Sequence, residues 1–146
     1  MVTLPIAALV FATLFAGAAL YITLVEHPAR LALADAQLLA QWQPSYKRAL
    51  PIQAGLAIAA GVSGLIAWYL ARDWQWMAGS IVMLANWPFT FLVIMPVNKR
   101  LMAMRADDAG PRSRAMLLRW GRLHDVRSAF GTISVILFVW ALAAGR

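Results

Sequence analysis

Asn86-Trp87-Pro88-Phe89-Thr90-Phe91-Leu92-Val93-Ile94-Met95-Pro96-Val97-Asn98-Lys99-Arg100 sets an amide, a proline and a hydroxyl inside an apolar run, then closes on a second proline, a second amide and a pair of cations. A polar side chain facing lipid goes unpaired, so this stretch is stable in hydrocarbon only if its polar groups turn into a helical bundle. The surrounding run, from about Trp76 to Val97, is long enough to cross a bilayer. It reads as a membrane helix kinked near Pro88, whose missing N–H leaves a preceding carbonyl free. Asn86 and Thr90 share a face, and Asn98 follows about three turns below. Such a stripe can line a cavity, with Asn86, Trp87 and Thr90 orienting a carbonyl or phenol. It can also simply tie helices together around the kink.

Composition points the same way. The 146 residues are 62% apolar and only 13% charged, where a soluble domain carries about a quarter of its residues charged. In a soluble chain the net charge of +7 would suggest nucleic acid. Here the cations flank apolar runs, so topology and anionic headgroups account for them and nucleic-acid binding is not expected. The absence of cysteine excludes disulfides, thiolate catalysis and thiolate metal sites.

Outward from the central stretch, the chain divides into a single all-α membrane domain, residues 1–146. It is expected to be an antiparallel four-helix bundle with helices at about 4–25, 51–71, 76–97 and 112–144. The first is a retained span rather than a cleaved signal, because no basic residue precedes its apolar run. It ends in Glu26-His27-Pro28, where proline biases His27 away from helix and marks a turn or kink. Leu31, Ala34, Leu38 and Trp42 recur at helical spacing, which predicts a short amphipathic helix on the surface within the first loop. Pro51 suits the first turn of the second helix. Arg72-Asp73-Trp74-Gln75 is a tight turn, so the second and third helices are antiparallel neighbours. Arg30, Lys47 and Arg48 in the first long loop, and Lys99 through Arg127 in the second, outweigh the lone Arg72 between them. The positive-inside rule places both long loops in the cytoplasm and both termini in the periplasm of an inner membrane.

That topology brings the ends of helices one and three and the starts of helices two and four to one membrane face. Glu26, His27, Asn98, His124 and Arg127 all fall near it, and they form the candidate catalytic set. His124 and Arg127 are three apart, with Trp120 four before the histidine, so all share a helix face. A histidine there can act as general base, tuned by Glu26 or Asp125. The plainer reading pairs Glu26 with Arg30 and bonds the histidines to backbone or headgroups. His27, His124 and Glu26 could also make a facial triad for a non-haem divalent metal, although no His-x3-His or Glu-x-x-His pair marks one. The cofactor is thus either none or such a metal, and the loops carry no haem signature. No phosphate loop, dinucleotide fingerprint, nucleophile elbow or zincin motif is present.

The set Glu26-His27-Pro28, Trp42 with Pro44, Asn86-Trp87-Pro88-Phe89-Thr90, Ile94-Met95-Pro96-Val97-Asn98 and Trp120-Gly121-Arg122-Leu123-His124-Asp125-Val126-Arg127 resembles the anthrone-oxygenase-like integral membrane family across residues 4–142. The resemblance implies a small four-helix membrane oxidoreductase acting on a lipophilic aromatic, anthrone- or quinol-like, with no firmly established cofactor. It also implies that the family's histidines are His27 and His124, its asparagine Asn98 and its basic residue Arg127. Trp87, Phe89 and Trp120 would stack on a flat substrate. The alternative is a non-enzymatic membrane subunit or a lipid- or quinone-binding protein. Its mark would be an outward small-residue stripe, at Gly17 or at Gly55-x-x-x-Ala59, for a partner helix. Partners on either reading are a lipophilic small molecule and membrane lipids; oligomeric state is not legible.

Overall fold

The computed structural model describes residues 3–145. Four helices follow the apolar runs: α1 (Thr3–Leu31), α2 (Asp35–Ala71), α3 (Trp74–Ala103) and α4 (Pro111–Ala144), each long and apolar enough to cross a membrane. The chain is an all-α, multi-pass helical membrane protein. α1 packs on α2 and α4, and α3 packs on the same two from the other side, closing a four-helix bundle.

Small residues set the spacing in one half of the bundle. Ala8, Ala12 and Ala19 of α1 and Ala57 and Ala60 of α2 are buried and let backbones approach, while Phe15, Met83 and Phe138 fill the space between. The Phe138 ring needs both Gly64 and Gly79, because a Cβ on them would lie 2.8 Å and 2.5 Å from ring carbons. The other half carries the large side chains Leu38, Leu39, Trp42, Leu101, Leu117 and Trp120.

The prolines behave differently from their sequence reading. The stretch expected to form a short amphipathic helix is not separate among the described residues: residues 35–49 are the first part of the continuous α2, which passes through Pro44 and Pro51. Both rings are exposed, where a helix can bend around the missing hydrogen bond, and Leu38, Leu39 and Trp42 face inward against α4. Likewise Pro28 does not turn the chain, since His27 is helical (φ −68°, ψ −45°). The crowding is relieved instead by a π-helical turn, Ile22–Glu26, in which the His27 N–H reaches the Ile22 carbonyl. α3 repeats the device at Thr90–Ile94, where the Met95 N–H reaches Thr90 ahead of Pro96. In both, a widened turn sits immediately before the residue that precedes proline, moving aside the carbonyl that the ring would strike. Around Pro88 the helix is interrupted at Ala85, and the Asn86 amide donates to the Met83 carbonyl at 3.0 Å.

Two side chains close the large-residue end. Gln43 of α2 donates to the carbonyls of Leu101 and Met104, both at 2.9 Å, satisfying the last turn of α3. Arg114 of α4 donates to the Leu31 carbonyl at 2.8 Å and pairs with Asp35, holding the α1–α2 corner.

Candidate functional site

Many of the candidate polar residues border one of two adjoining spaces. The smaller is a polar chamber of about 20 Å³ whose walls include Glu26, Gln53, Asn98, Trp120, His124 and Arg127. The larger is an apolar cavity of about 230 Å³ whose walls include Ala54, Ala57, Asn86, Trp87, Thr90 and Arg127. Leu50 and Arg127 belong to both.

Arg127 is the junction. It is only 8% exposed, so it does not snorkel to the membrane surface; its guanidinium lies 5.6 Å from the centre of the Phe15 ring. Its Nε has no hydrogen-bond partner, and no carboxylate pairs with it among the described residues. A buried cation without a counter-charge is costly, and the cost is recovered when an anion binds beside it.

His124, 2% exposed, is held from α1 and from its own helix. Thr23 Oγ1 lies 3.3 Å from its Nδ1 and 2.9 Å from Ser128 Oγ, and Ser128 donates to the His124 carbonyl at 3.2 Å. Neither hydroxyl figures in the sequence reading. Ser128 could have been found from its i,i+4 spacing to His124, whereas Thr23 carries no local signal. Thr23 and Glu26 both sit in the first π-helical turn and Thr90 in the second, so both widened turns supply polar groups to the interior.

Glu26 is committed to a network. It accepts hydrogen bonds from Arg30 and, at 2.8 Å, from Ser45; Arg30 also donates to Gln41. This is the Glu26–Arg30 pairing of the plainer reading. His27 takes a different place from the other candidates. It is 7% exposed and packs edge-on to Trp120 with ring centroids 5.2 Å apart, and it does not border the chamber. Its ring fills the gap left by Gly121, where a Cβ would fall 2.5 Å from Nε2. Gly121→Ala is therefore expected to destabilise the fold by about 1–3 kcal/mol through overpacking. Thermal melting in detergent checks this, and an unchanged midpoint would mean the imidazole swings aside freely.

Four expectations change on this geometry. Among the described residues no three His, Asp or Glu side chains converge as metal ligands, so Glu26, His27 and His124 do not form the facial triad. Glu26 turns to Arg30 and Ser45, and Trp120 touches both imidazoles, with His124 at 5.0 Å. Trp120 borders the chamber and packs on Trp42, apart from Asn86, Trp87 and Thr90 in the apolar cavity. Phe89 packs on Phe130 rather than on that cavity, and Phe91 takes the wall position instead. The polar stripe of α3 thus splits, with Asn98 in the chamber beside the Tyr46 hydroxyl.

A family profile described as anthrone oxygenase matches residues 42–137. The chain belongs to the anthrone oxygenase family. The matched segment takes in every cavity and chamber residue of α3 and α4 named above, while Glu26 and His27 precede it. An anthrone oxygenase of Claviceps purpurea is 27% identical over 123 residues, covering 76% of this chain and 71% of the relative. One of Cryptosporiopsis is 32% identical over 108 residues, 68% of this chain and 61% of the relative. One of Aspergillus fumigatus is 42% identical over 53 residues, about a third of each chain (34% and 33%). No solved structure matches.

Proposed function

We propose that this member of the family is a membrane oxygenase that takes up an anthrone- or quinol-like aromatic from the bilayer into the apolar cavity. The observation that carries this reading is Arg127, a buried and unpaired guanidinium in the wall of an otherwise apolar space. A flat phenol or enol matches both features, because its rings replace lipid while its oxygen, as it becomes anionic, meets the cation. Trp87 and Phe91 offer ring faces, and the Asn86 amide oxygen, without a partner, is free to accept a hydroxyl. His124 serves as base for the acidic carbon–hydrogen bond. Arg127 stabilises the oxyanion in a water-poor site, where such contacts are strongest. The electron-rich anion then reacts with dioxygen, which partitions into the bilayer. The cations at the α1–α2 and α3–α4 corners support an orientation with the chamber end toward the cytoplasmic face of an inner membrane.

The test is oxidation of a hydroxyanthrone by protein purified into lipid nanodiscs, with oxygen uptake followed alongside. Ala54→Leu, which fills part of the cavity with three more carbons, is expected to raise KM by at least about 10–200-fold, the worth of a single methylene in an apolar pocket. The chamber is untouched by that change. No turnover of any hydroxylated anthrone, or an unchanged KM in the filled variant, would refute the assignment.

A second reading has one feature in its favour. Gly17 and Gly55 are exposed on the outside of the bundle with nothing within 4 Å, as a docking surface for a partner helix would require. Leucine at both positions would separate a partner helix without entering the cavity, so a wild-type chain that turns over no anthrone and a leucine variant that loses a co-purifying partner would favour the subunit role.

A further inference from the structure

Beyond Arg127 Nε, the residues lining the chamber carry three more buried polar atoms without partners, the Trp42 indole nitrogen, the Gln53 amide nitrogen and the Asn98 amide oxygen. They come from α2, α3 and α4, and each side chain is more than nine-tenths buried. Leaving a buried donor or acceptor unpaired is unfavourable, so the four together favour a ligand that meets them. Size and chemistry restrict it. A space of about 20 Å³ admits one water-sized body. Three of the atoms donate and one accepts, so the occupant must both accept and donate. Dioxygen and halide cannot donate, and ammonium cannot accept; water does both.

Proton accounting around His124 supplies the fourth contact. Thr23 and Ser128, 2.9 Å apart, can each donate to the other, and Ser128 also reaches the His124 carbonyl at 3.2 Å. In the arrangement where Ser128 donates to that carbonyl, Thr23 donates to Ser128 Oγ and accepts from Nδ1, which then carries the ring hydrogen. Nε2 keeps its lone pair, on a ring that borders the chamber.

We infer that the chamber is a binding site for a single water, which accepts from Gln53 and Arg127 and donates to Asn98 and to His124 Nε2. Thr23 is the positioning residue that keeps Nε2 open to it. The consequence for catalysis rests on the function proposed above. His124 borders the chamber but not the apolar cavity, so the water bridges the two beside Arg127. As Arg127 turns its N–H to the developing substrate oxyanion, the water lone pair it held takes the proton from the substrate carbon and a water hydrogen passes to Nε2. The products are the substrate anion, an imidazolium and the same water.

Solid-state NMR of ¹⁵N-labelled protein in bilayers, without substrate, tests this. The expected spectrum has His124 protonated at Nδ1 and bare at Nε2, with magnetisation transferred from water to the Arg127 Nε–H. Thr23→Val abolishes the Nδ1 preference and Thr23→Ser restores it. Asn98→Leu and Gln53→Met each weaken the water transfer while the remaining helical resonances keep their positions. A His124 proton on Nε2 in the wild type, a tautomer indifferent to Thr23→Val, or a dry Arg127 Nε–H would overturn the proposal. These readouts need no turnover. The expected spectra combined with failure to oxidise anthrones would sink the functional reading and leave the water site standing.

Discussion

Arg127→Met is expected to lower turnover by about 10²–10³-fold, the cost of removing one donor aimed at a developing oxyanion, without loss of stability. Ordinarily an inactivating change at a buried charge also unfolds the protein, because a partner charge is stranded. Here there is no carboxylate to strand among the described residues, and the guanidinium rests on Phe15 with its Nε unpaired. An arginine within a membrane helix costs about 2.5–3.5 kcal/mol by insertion scales, and methionine of similar length removes that cost. The melting midpoint should therefore hold or rise as activity falls. Paired measurements of melting and anthrone oxidation in nanodiscs check both halves. A variant that is both inactive and less stable would make Arg127 a structural residue.

The second large effect falls on His124. Loss of a general base costs on the order of 10²–10⁴ in rate, and His124→Gln is the informative change. Glutamine keeps a polar group near Thr23 and Ser128 and much of the volume against Trp120, whereas alanine would open a hole beside the indole. Because the ring does not border the apolar cavity, kcat should fall while KM stays close to the wild-type value. A His124→Gln enzyme turning over near the wild-type rate would remove the imidazole from the mechanism. His27→Gln should act differently. That ring packs between Trp120 and Gly121, so its loss is expected to show first in melting.

Much of the fold was legible because bilayer thickness and hydropathy constrain span length strongly. The long apolar runs, the tight Arg72–Asp73 turn and the basic corners were enough to arrange four antiparallel helices. The prolines were not legible in the same way. Pro44 and Pro51 let α2 continue, while Pro28 and Pro96 are preceded by π-helical turns. Which outcome occurs depends on whether the freed carbonyl faces open surroundings or a neighbouring helix, and sequence does not carry that information. A widened turn also rotates every side chain beyond it. Topology alone could therefore gather Glu26, Asn98, His124 and Arg127 at one end of the bundle, yet could not foresee that Asn86, Trp87 and Thr90 border a separate cavity or that His27 turns toward Gly121. Thr23 is an ordinary hydroxyl in an apolar run, and only its contact with a histidine 101 residues away gives it meaning.

An aromatic oxyanion held against Arg127 inside the apolar cavity would show in the spectrum of a bound, unreactive hydroxyanthraquinone. Phenolate and phenol forms of such a dye absorb at different wavelengths. With the wild-type protein in nanodiscs, the bound dye should be shifted toward its phenolate form, and Arg127→Met should return it to the neutral spectrum or release it. The same spectrum from both proteins would contradict the account.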